Sequence, residues 1–258
     1  MTQAWGALVV AGALGLLVGS FLNVCIHRLP ARRSVVGGRS ACPVCGRQIR
    51  AWENIPVVSW ILLGGRCAGC RAPISLRYPI VEIATGVVFA AGVAVFGVSW
   101  LLVSRLVFAC ALIVLFVIDL EHRILPNVIT LPGIAAGLLS SAFLPPGLAS
   151  ALIGAAACGA GLWAMGELVS RALGKDALGF GDVKMIAMMG TFLGWEQTLV
   201  ALFLASLLGS LIGFAIILVT RDRDYLIPLG SFLAIGGLVA AVAGEPILTW
   251  YTGRILGL

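Results

Sequence analysis

Charge is what this chain has least of. Asp, Glu, Lys and Arg make up 11% of its 258 residues, against about a quarter in a soluble domain. The hydrophobic share is 60% and the mean hydropathy +1.09. Together these exclude a soluble globular enzyme and leave a polytopic membrane protein. Histidine is nearly absent as well: the 2 present, His27 and His122, are too scattered to seed a catalytic or metal site. No internal repeat or low-complexity tract is visible. The first apolar stretch, Trp5 to Cys25, lacks a basic leading region and a small-residue cleavage site, so it is expected to stay as a span and not to be removed as a signal peptide.

Apolar runs of about 17 to 25 residues predict spans near 4–25, 79–98, 100–118, 128–144, 149–169, 198–219 and 226–244. A further segment, 183–194, is short. At about 1.5 Å per residue it crosses little more than half the hydrocarbon, so a half-span, a tilted helix and an extension of the preceding loop all stay open. The expected fold is all-α, with about eight transmembrane helices. It divides into a first helix (1–25), a polar loop (26–78) and a hydrophobic bundle (79–258). The 33 glycines suit close helix packing in lipid.

Of the 17 basic residues, Arg28, Arg32, Arg33, Arg39, Arg47, Arg50, Arg66, Arg71 and Arg77 all fall in the first loop. The positive-inside rule makes that loop cytosolic. Alternating from there puts Arg123, Arg171 with Lys175, and Arg221 with Arg223 on the cytosolic side. Pro145-Pro146-Gly147 and Trp195-Glu196-Gln197 then face outward, as do both termini. The net charge of +6 is thus a matter of topology and does not suggest nucleic acid.

Inside the loop, Cys42-Pro-Val-Cys45 and Cys67-Ala-Gly-Cys70 form two CxxC knuckles separated by residues 46–66. Four thiolates at this spacing match a zinc ribbon, in which two tight turns share one tetrahedral ion. A structural role follows, because four thiolates close the coordination sphere, and a loop this small depends on the metal to fold. The competing reading is a pair of redox-active or disulfide-forming dithiols, which a cytosolic location disfavours. Cys25, Cys110 and Cys158 lie singly in apolar runs and read as packing residues. Trp52-Glu-Asn-Ile-Pro-Val-Val-Ser-Trp60 reads either as an amphipathic segment on the headgroups or as a substrate or cofactor surface.

Two aspartates at span ends ask for a chemical reason, because an ionisable group at the edge of lipid is costly. They are Asp119, in Val117-Ile-Asp-Leu-Glu-His-Arg-Ile-Leu-Pro-Asn127, and Asp182, in Gly179-Phe-Gly-Asp-Val-Lys184. The topology puts both on the cytosolic side at one depth. Two nearby carboxyls cannot both ionise cheaply, so they share a proton: one activates water while the other polarises the carbonyl. The pair reads as the dyad of an intramembrane aspartyl protease. A helix N-terminus at Val183 favours Asp182 as the ionised base, and Gly179 and Gly181 let the backbone approach substrate. The bland alternative for either residue alone is an N-cap or interfacial group.

Among the other acids, Glu82 and Glu167 are embedded enough to need partners. Glu53, Glu121, Asp176, Asp222 and Asp224 read as solvated and able to attract a basic peptide. Lys184 either tunes Asp182 or simply obeys the positive-inside rule.

These motifs, in this order, resemble the type IV prepilin peptidases of bacteria over most of the chain. Gly19-Ser-Phe-Leu-Asn-Val24 with Arg28-Leu-Pro30 is similar to the family's opening. The two cysteine knuckles bracket Asn54-Ile-Pro56 and Ser59-Trp60 and precede Arg77-Tyr-Pro-Ile-Val-Glu82, as in its zinc-binding loop. Asp119 with Leu125-Pro126, and Gly179-x-Gly-Asp-x-Lys184, are similar to the two segments carrying its catalytic aspartates. The resemblance implies an endopeptidase of the bacterial inner membrane that cuts the basic leader from pilin-like or pseudopilin precursors on the cytosolic side. It also implies methylation of the new N-terminal amine from S-adenosylmethionine, with the loop associated with that activity, although no glycine-rich nucleotide-binding fold is legible. One departure is Ile227-Pro-Leu-Gly-Ser-Phe-Leu233, where the family usually has Phe and Pro in place of Leu229 and Ser231. It bears on substrate fit more than on chemistry.

The alternative from another class is a proton-coupled transporter using the aspartates as a relay. It predicts acids near mid-membrane and broken helices in paired halves, whereas here both acids lie at one face. A non-enzymatic zinc-loop assembly protein predicts that neither aspartate matters.

Overall fold

In the computed structural model residues 2–174, 178–221 and 228–256 are described. Lys175, Asp176, Asp222, Arg223, Asp224 and Ile227, singled out above, lie outside the described residues. The chain forms two compact units, Met1–Leu102 and Val103–Leu258.

The first unit holds α1 (Thr2–Arg28), a short α2 (Val58–Leu62) and α3 (Arg77–Phe96). Helices α1 and α3 pair antiparallel, Gly12 facing Ala90 and Asn23 donating to the Tyr78 carbonyl at 3.0 Å. Glycine sets their spacing. A Cβ at Gly15 would stand 2.8 Å from Gly86 Cα, and one at Gly19 would stand 2.7 Å from Glu82 Cα, so only a bare backbone lets the helices approach this closely. Between them lies the polar loop, with a single 3-10 turn at Ala51–Asn54 and two isolated β-bridges, Ala41 with Gln48 and Arg66 with Pro73. Arg28 ties the loop to the end of α1 by donating to the carbonyls of Ser34, Gly37 and Gly38.

The second unit is built from α4 (Trp100–His122), α5 (Asn127–Ser141), α6 (Leu148–Ile153), α7 (Gly159–Leu173), α8 (Phe180–Thr220) and α9 (Leu229–Tyr251). A π-helical turn at Gly154–Cys158 joins α6 to α7, making one span over Leu148–Ala172. Helix α8 is interrupted at Gly194, whose φ of 78° and ψ of 175° are not helical. The chain doubles back there. Before the break, Asp182 lies near Asp119, Met189 meets the α9 backbone at Gly237, and Phe192 stacks on Phe108 at 5.0 Å. After it, Gln197 faces Gly244, Ala201 faces Gly236 and Phe232 faces Gly209, so the second arm descends where the first had climbed.

Among the described residues six helices are long and apolar enough to cross a membrane, with α5 shorter. Since α8 makes two passes, the chain is a multi-pass α-helical membrane protein of eight apolar passes, as the hydropathy suggests.

The short segment 183–194 turns out to be the centre of the second unit. It lies in the first arm of α8, 180–193, about 21 Å long at 1.5 Å per residue. Met185, Ile186, Met188 and Met189 are fully buried there. Other helices surround it, so it need not match the lipid thickness. Gly133, Gly137 and Gly154 carry no side chain where Met188, Thr191 and the Gly190 carbonyl press against them. At its upper end the buried Arg105 guanidinium donates to the Phe192 carbonyl at 2.7 Å, capping carbonyls that the break at Gly194 leaves without helical partners. Several spans run longer than predicted, α4 and α9 among them. Helix α4 continues through Asp119 to His122, and α9 runs to Tyr251 with Pro246 inside it.

Candidate active site and metal centre

Asp119 sits in the last turn of α4 and Asp182 in the first turn of α8. Antiparallel packing of α4 on the first arm of α8 brings both to one end of the second unit, near enough for the two carboxylates to interact electrostatically. Asp119 is 6% exposed. Its main-chain carbonyl accepts from Arg123 N–H at 2.8 Å, where Arg123 closes α4 in a left-handed conformation with φ 54°.

Two helix N-termini converge on this pair, and their local sequences are alike. Gly179 precedes α8, followed by Phe180, Gly181 and Asp182; Pro228 precedes α9, followed by Leu229, Gly230 and Ser231. Leu125 wedges between the two glycines. Its side chain lies 3.1 Å from where a Cβ of Gly181 would be and 3.0 Å from that of Gly230, and the Gly230 position is also 3.0 Å from Asp119 Cγ. The unpaired N–H groups at such termini favour negative charge; Asp119 is buried there and Asp182 is partly exposed.

Ser231 was placed among substrate-fitting residues by the sequence, and it touches Asp119 directly. Its backbone N–H donates to Asp119 Oδ2 at 2.6 Å and its hydroxyl lies 2.9 Å from the same oxygen. The available signal was the repeated glycine-containing helix start.

Lys184 turns away from the dyad, donating to Asn127 Oδ1 at 2.8 Å and lying 4.8 Å over the Phe180 ring. It joins α5 to α8. Glu167 pairs with Arg171 at the exposed end of α7, a surface contact of little energetic weight. In the first unit Glu82 is buried and accepts the Val57 N–H at 2.8 Å, holding the loop to α3 where Val57 has the unfavourable φ of 63°. Glu53 bonds Arg47 at 2.7 Å. His122 lies 3.9 Å from Glu121.

The four loop cysteines do meet. The Sγ atoms of Cys42, Cys45, Cys67 and Cys70 lie within 4.8 Å of one another. A tetrahedral thiolate site with metal–sulfur bonds of about 2.3 Å requires sulfurs about 3.8 Å apart, and Cys42 and Cys70 are 3.8 Å apart. The two knuckles have matching backbones. Cys42 N–H donates to the Arg47 carbonyl and Gly46 N–H to that of Cys42; Cys67 N–H donates to Ala72 and Arg71 N–H to Cys67. The left-handed position after each second cysteine is Gly46 (φ 71°) in one knuckle and Arg71 (φ 62°) in the other. Backbone N–H groups of Cys70 and Gly69 aim at Cys67 and hold its thiol down to about 6, and those of Cys45 and Val44 lower that of Cys42. These residues fit a metal-held cluster.

Trp60 packs over Gly65 and donates to the Ile74 carbonyl at 3.1 Å, bracing the second knuckle. Trp52, Ile55 and Val58 of the strip Trp52–Trp60 are exposed, as are Ile61 and Leu62 just after it.

The family described as type IV leader peptidase family matches residues 106–214. The one described as bacterial peptidase A24 N-terminal domain matches residues 13–96. The chain is similar to a prepilin leader peptidase/N-methyltransferase of Pseudomonas aeruginosa, 38% identical over 263 residues, covering 92% of this chain and 91% of the relative. Proteins of the same name from Aeromonas salmonicida (36% over 270 residues, 93% and 92% covered) and Myxococcus xanthus (44% over 210 residues, 80% and 62% covered) are also similar. No solved structure matches.

Proposed function

Because the chain belongs to the type IV leader peptidase family, we propose that it is a membrane-embedded aspartyl endopeptidase cutting the basic leader from type IV prepilins or pseudopilins, with Asp119 and Asp182 as its dyad. The observation that carries this reading is the placement of both aspartates at one end of the second unit, beside the N-termini of α8 and α9 that Leu125 touches in turn. Water held between the carboxyls attacks the scissile carbonyl, one carboxylate taking its proton while the other protonates the oxygen. Arg123 closes α4, Arg171 lies in the last turn of α7 and Arg221 caps α8, which supports a cytosolic site by the positive-inside rule. A precursor anchored by its apolar helix presents its leader on that side. We place the enzyme in the bacterial inner membrane and the peptidase in the helices from residue 79 onward.

Zinc suits the four loop cysteines by donor type and sulfur spacing. Bound there, it supplies rigidity and no open coordination position. N-methylation of the new terminal residue with S-adenosylmethionine is the second activity we propose, from the names of the relatives, and we associate loop 26–78 with it. The described loop has no strand-to-helix glycine turn of the dinucleotide-binding kind.

The test is cleavage, in lipid, of a prepilin-like precursor with Gly before its apolar helix, by wild type and by Asp119→Asn and Asp182→Asn. Product from wild type alone is expected. Substantial turnover by both variants refutes the dyad.

A further inference from the structure

The two aspartates differ in what surrounds them. Asp119 Oδ2 faces two donors of one residue, the Ser231 N–H at 2.6 Å and the Ser231 hydroxyl at 2.9 Å, the nearer of the hydroxyl's two acceptors, the other being the Phe116 carbonyl at 3.3 Å; both residues are buried, at 6% and 3% exposure. The N–H belongs to the first turn of α9, where main-chain donors have no acceptor within their own helix. Asp119 therefore takes the place of a capping acceptor and faces the positive end of α9. Among the described residues no side chain donates to Asp182, and the groups aimed at its carboxylate are the backbone N–H groups of Gly179 and of Asp182 itself, at its own helix start. Backbone N–H groups of a helix start thus face both aspartates, and the Ser231 hydroxyl adds to them at Asp119 only. A carboxylate can accept at Oδ2 from both donors without a proton of its own, and charge-assisted bonds of this kind are the short ones.

We propose that Ser231 is a positioning residue that holds Asp119 as the charged member of the pair, leaving the shared proton on Asp182. This rests on the dyad reading and completes it. In the first step the water oxygen bonds to the scissile carbon, a water proton passes to Asp119 Oδ1, and the Asp182 proton passes to the carbonyl oxygen. On collapse the C–N bond breaks, Asp182 regains a hydroxyl proton, and the amine leaves with the proton from Asp119. Both groups return to their starting states. A proline at 231, which the family resemblance makes usual there, has no N–H and no hydroxyl, so this anchoring is a property of the present chain.

The test compares wild type, Ser231→Ala and Ser231→Thr with Asp119→Asn and Asp182→Asn in one lipid preparation, measuring kcat and KM separately with thermal unfolding as a control. Ser231→Ala is expected to lower kcat about tenfold with KM within about twofold, since a lost bond to a charged group acts on the reacting atom. Ser231→Thr, which keeps both donors, is expected to restore kcat to within about threefold of wild type. Wild-type kcat in Ser231→Ala overturns the proposal, as does an equal loss in Ser231→Thr or a loss confined to KM. If the Asn variants are inactive while Ser231→Ala is unimpaired, only the role of Ser231 falls. If the Asn variants turn over, the dyad and Ser231 fall together.

Discussion

Gly230→Ala is the most exposing perturbation of the site, because it adds one methyl group where the helix start meets the dyad. The new Cβ would stand 3.0 Å from Asp119 Cγ, Asp119 Oδ2 and Leu125 Cδ1, whereas carbon contacts are comfortable at about 3.5–4.0 Å. Asp119 and Leu125 must therefore retreat by roughly half an ångström, at an overpacking cost of about 1–3 kcal/mol. A misplacement of about 1 Å in a reacting group costs on the order of a hundredfold in rate, so a fall in kcat of roughly ten- to a hundredfold is expected, with KM little changed. The folding effect is opposed by the higher helix propensity of Ala, about 1 kcal/mol over Gly, so the loss of rate should exceed any loss of stability. Gly209→Ala is the control. Its Cβ would meet the Phe232 ring at an ordinary 3.5 Å, and both rate and thermal midpoint should stay near wild type. Leader cleavage in lipid beside thermal unfolding reads both variants. Wild-type kcat in Gly230→Ala would show that Asp119 is not held where its contacts place it.

Gly194→Ala should greatly reduce the yield of folded protein: φ 78° is strained for Ala, and its Cβ would lie 2.5 Å from Ser150 Oγ and 2.9 Å from Pro146 Cβ, together costing about 3 kcal/mol or more; size-exclusion recovery after extraction measures it. Arg105→Met, which keeps bulk but removes the donor to the Phe192 carbonyl, should lower stability by about 1.5–3 kcal/mol, read as a lower thermal midpoint with the site intact. Chelation should make the loop around residues 40–75 protease-sensitive, and Cys42→Ser or Cys67→Ser should do the same without chelator, because the proposed zinc would be the main source of folding energy for so small a loop. Arg71→Gly should strengthen that loop by up to about 1 kcal/mol, by relieving the left-handed backbone at φ 62°, visible as slower proteolysis; faster proteolysis would count against it.

Much of this was legible in the residues. Hydropathy determined an all-helical membrane protein of about eight passes, the CxxC spacing determined a four-sulfur cluster, and the isolation of Asp119 and Asp182 among apolar residues marked them as a pair in need of a reason. These are local or compositional signals, set by the cost of exposing backbone and charge to lipid and by the tight turns that metal ligands require. What the sequence could not rank was 183–194, because a helix too short for lipid reads as weak until neighbours are seen to bury it. Nor could it show that Leu125 wedges between Gly181 and Gly230, or that Ser231 donates to Asp119. Those contacts join residues distant in the chain, and they exist only because the antiparallel passes of α4, α8 and α9 bring three helix ends to one point. Tertiary packing alone decided that, and with it which aspartate the Ser231 hydroxyl reaches.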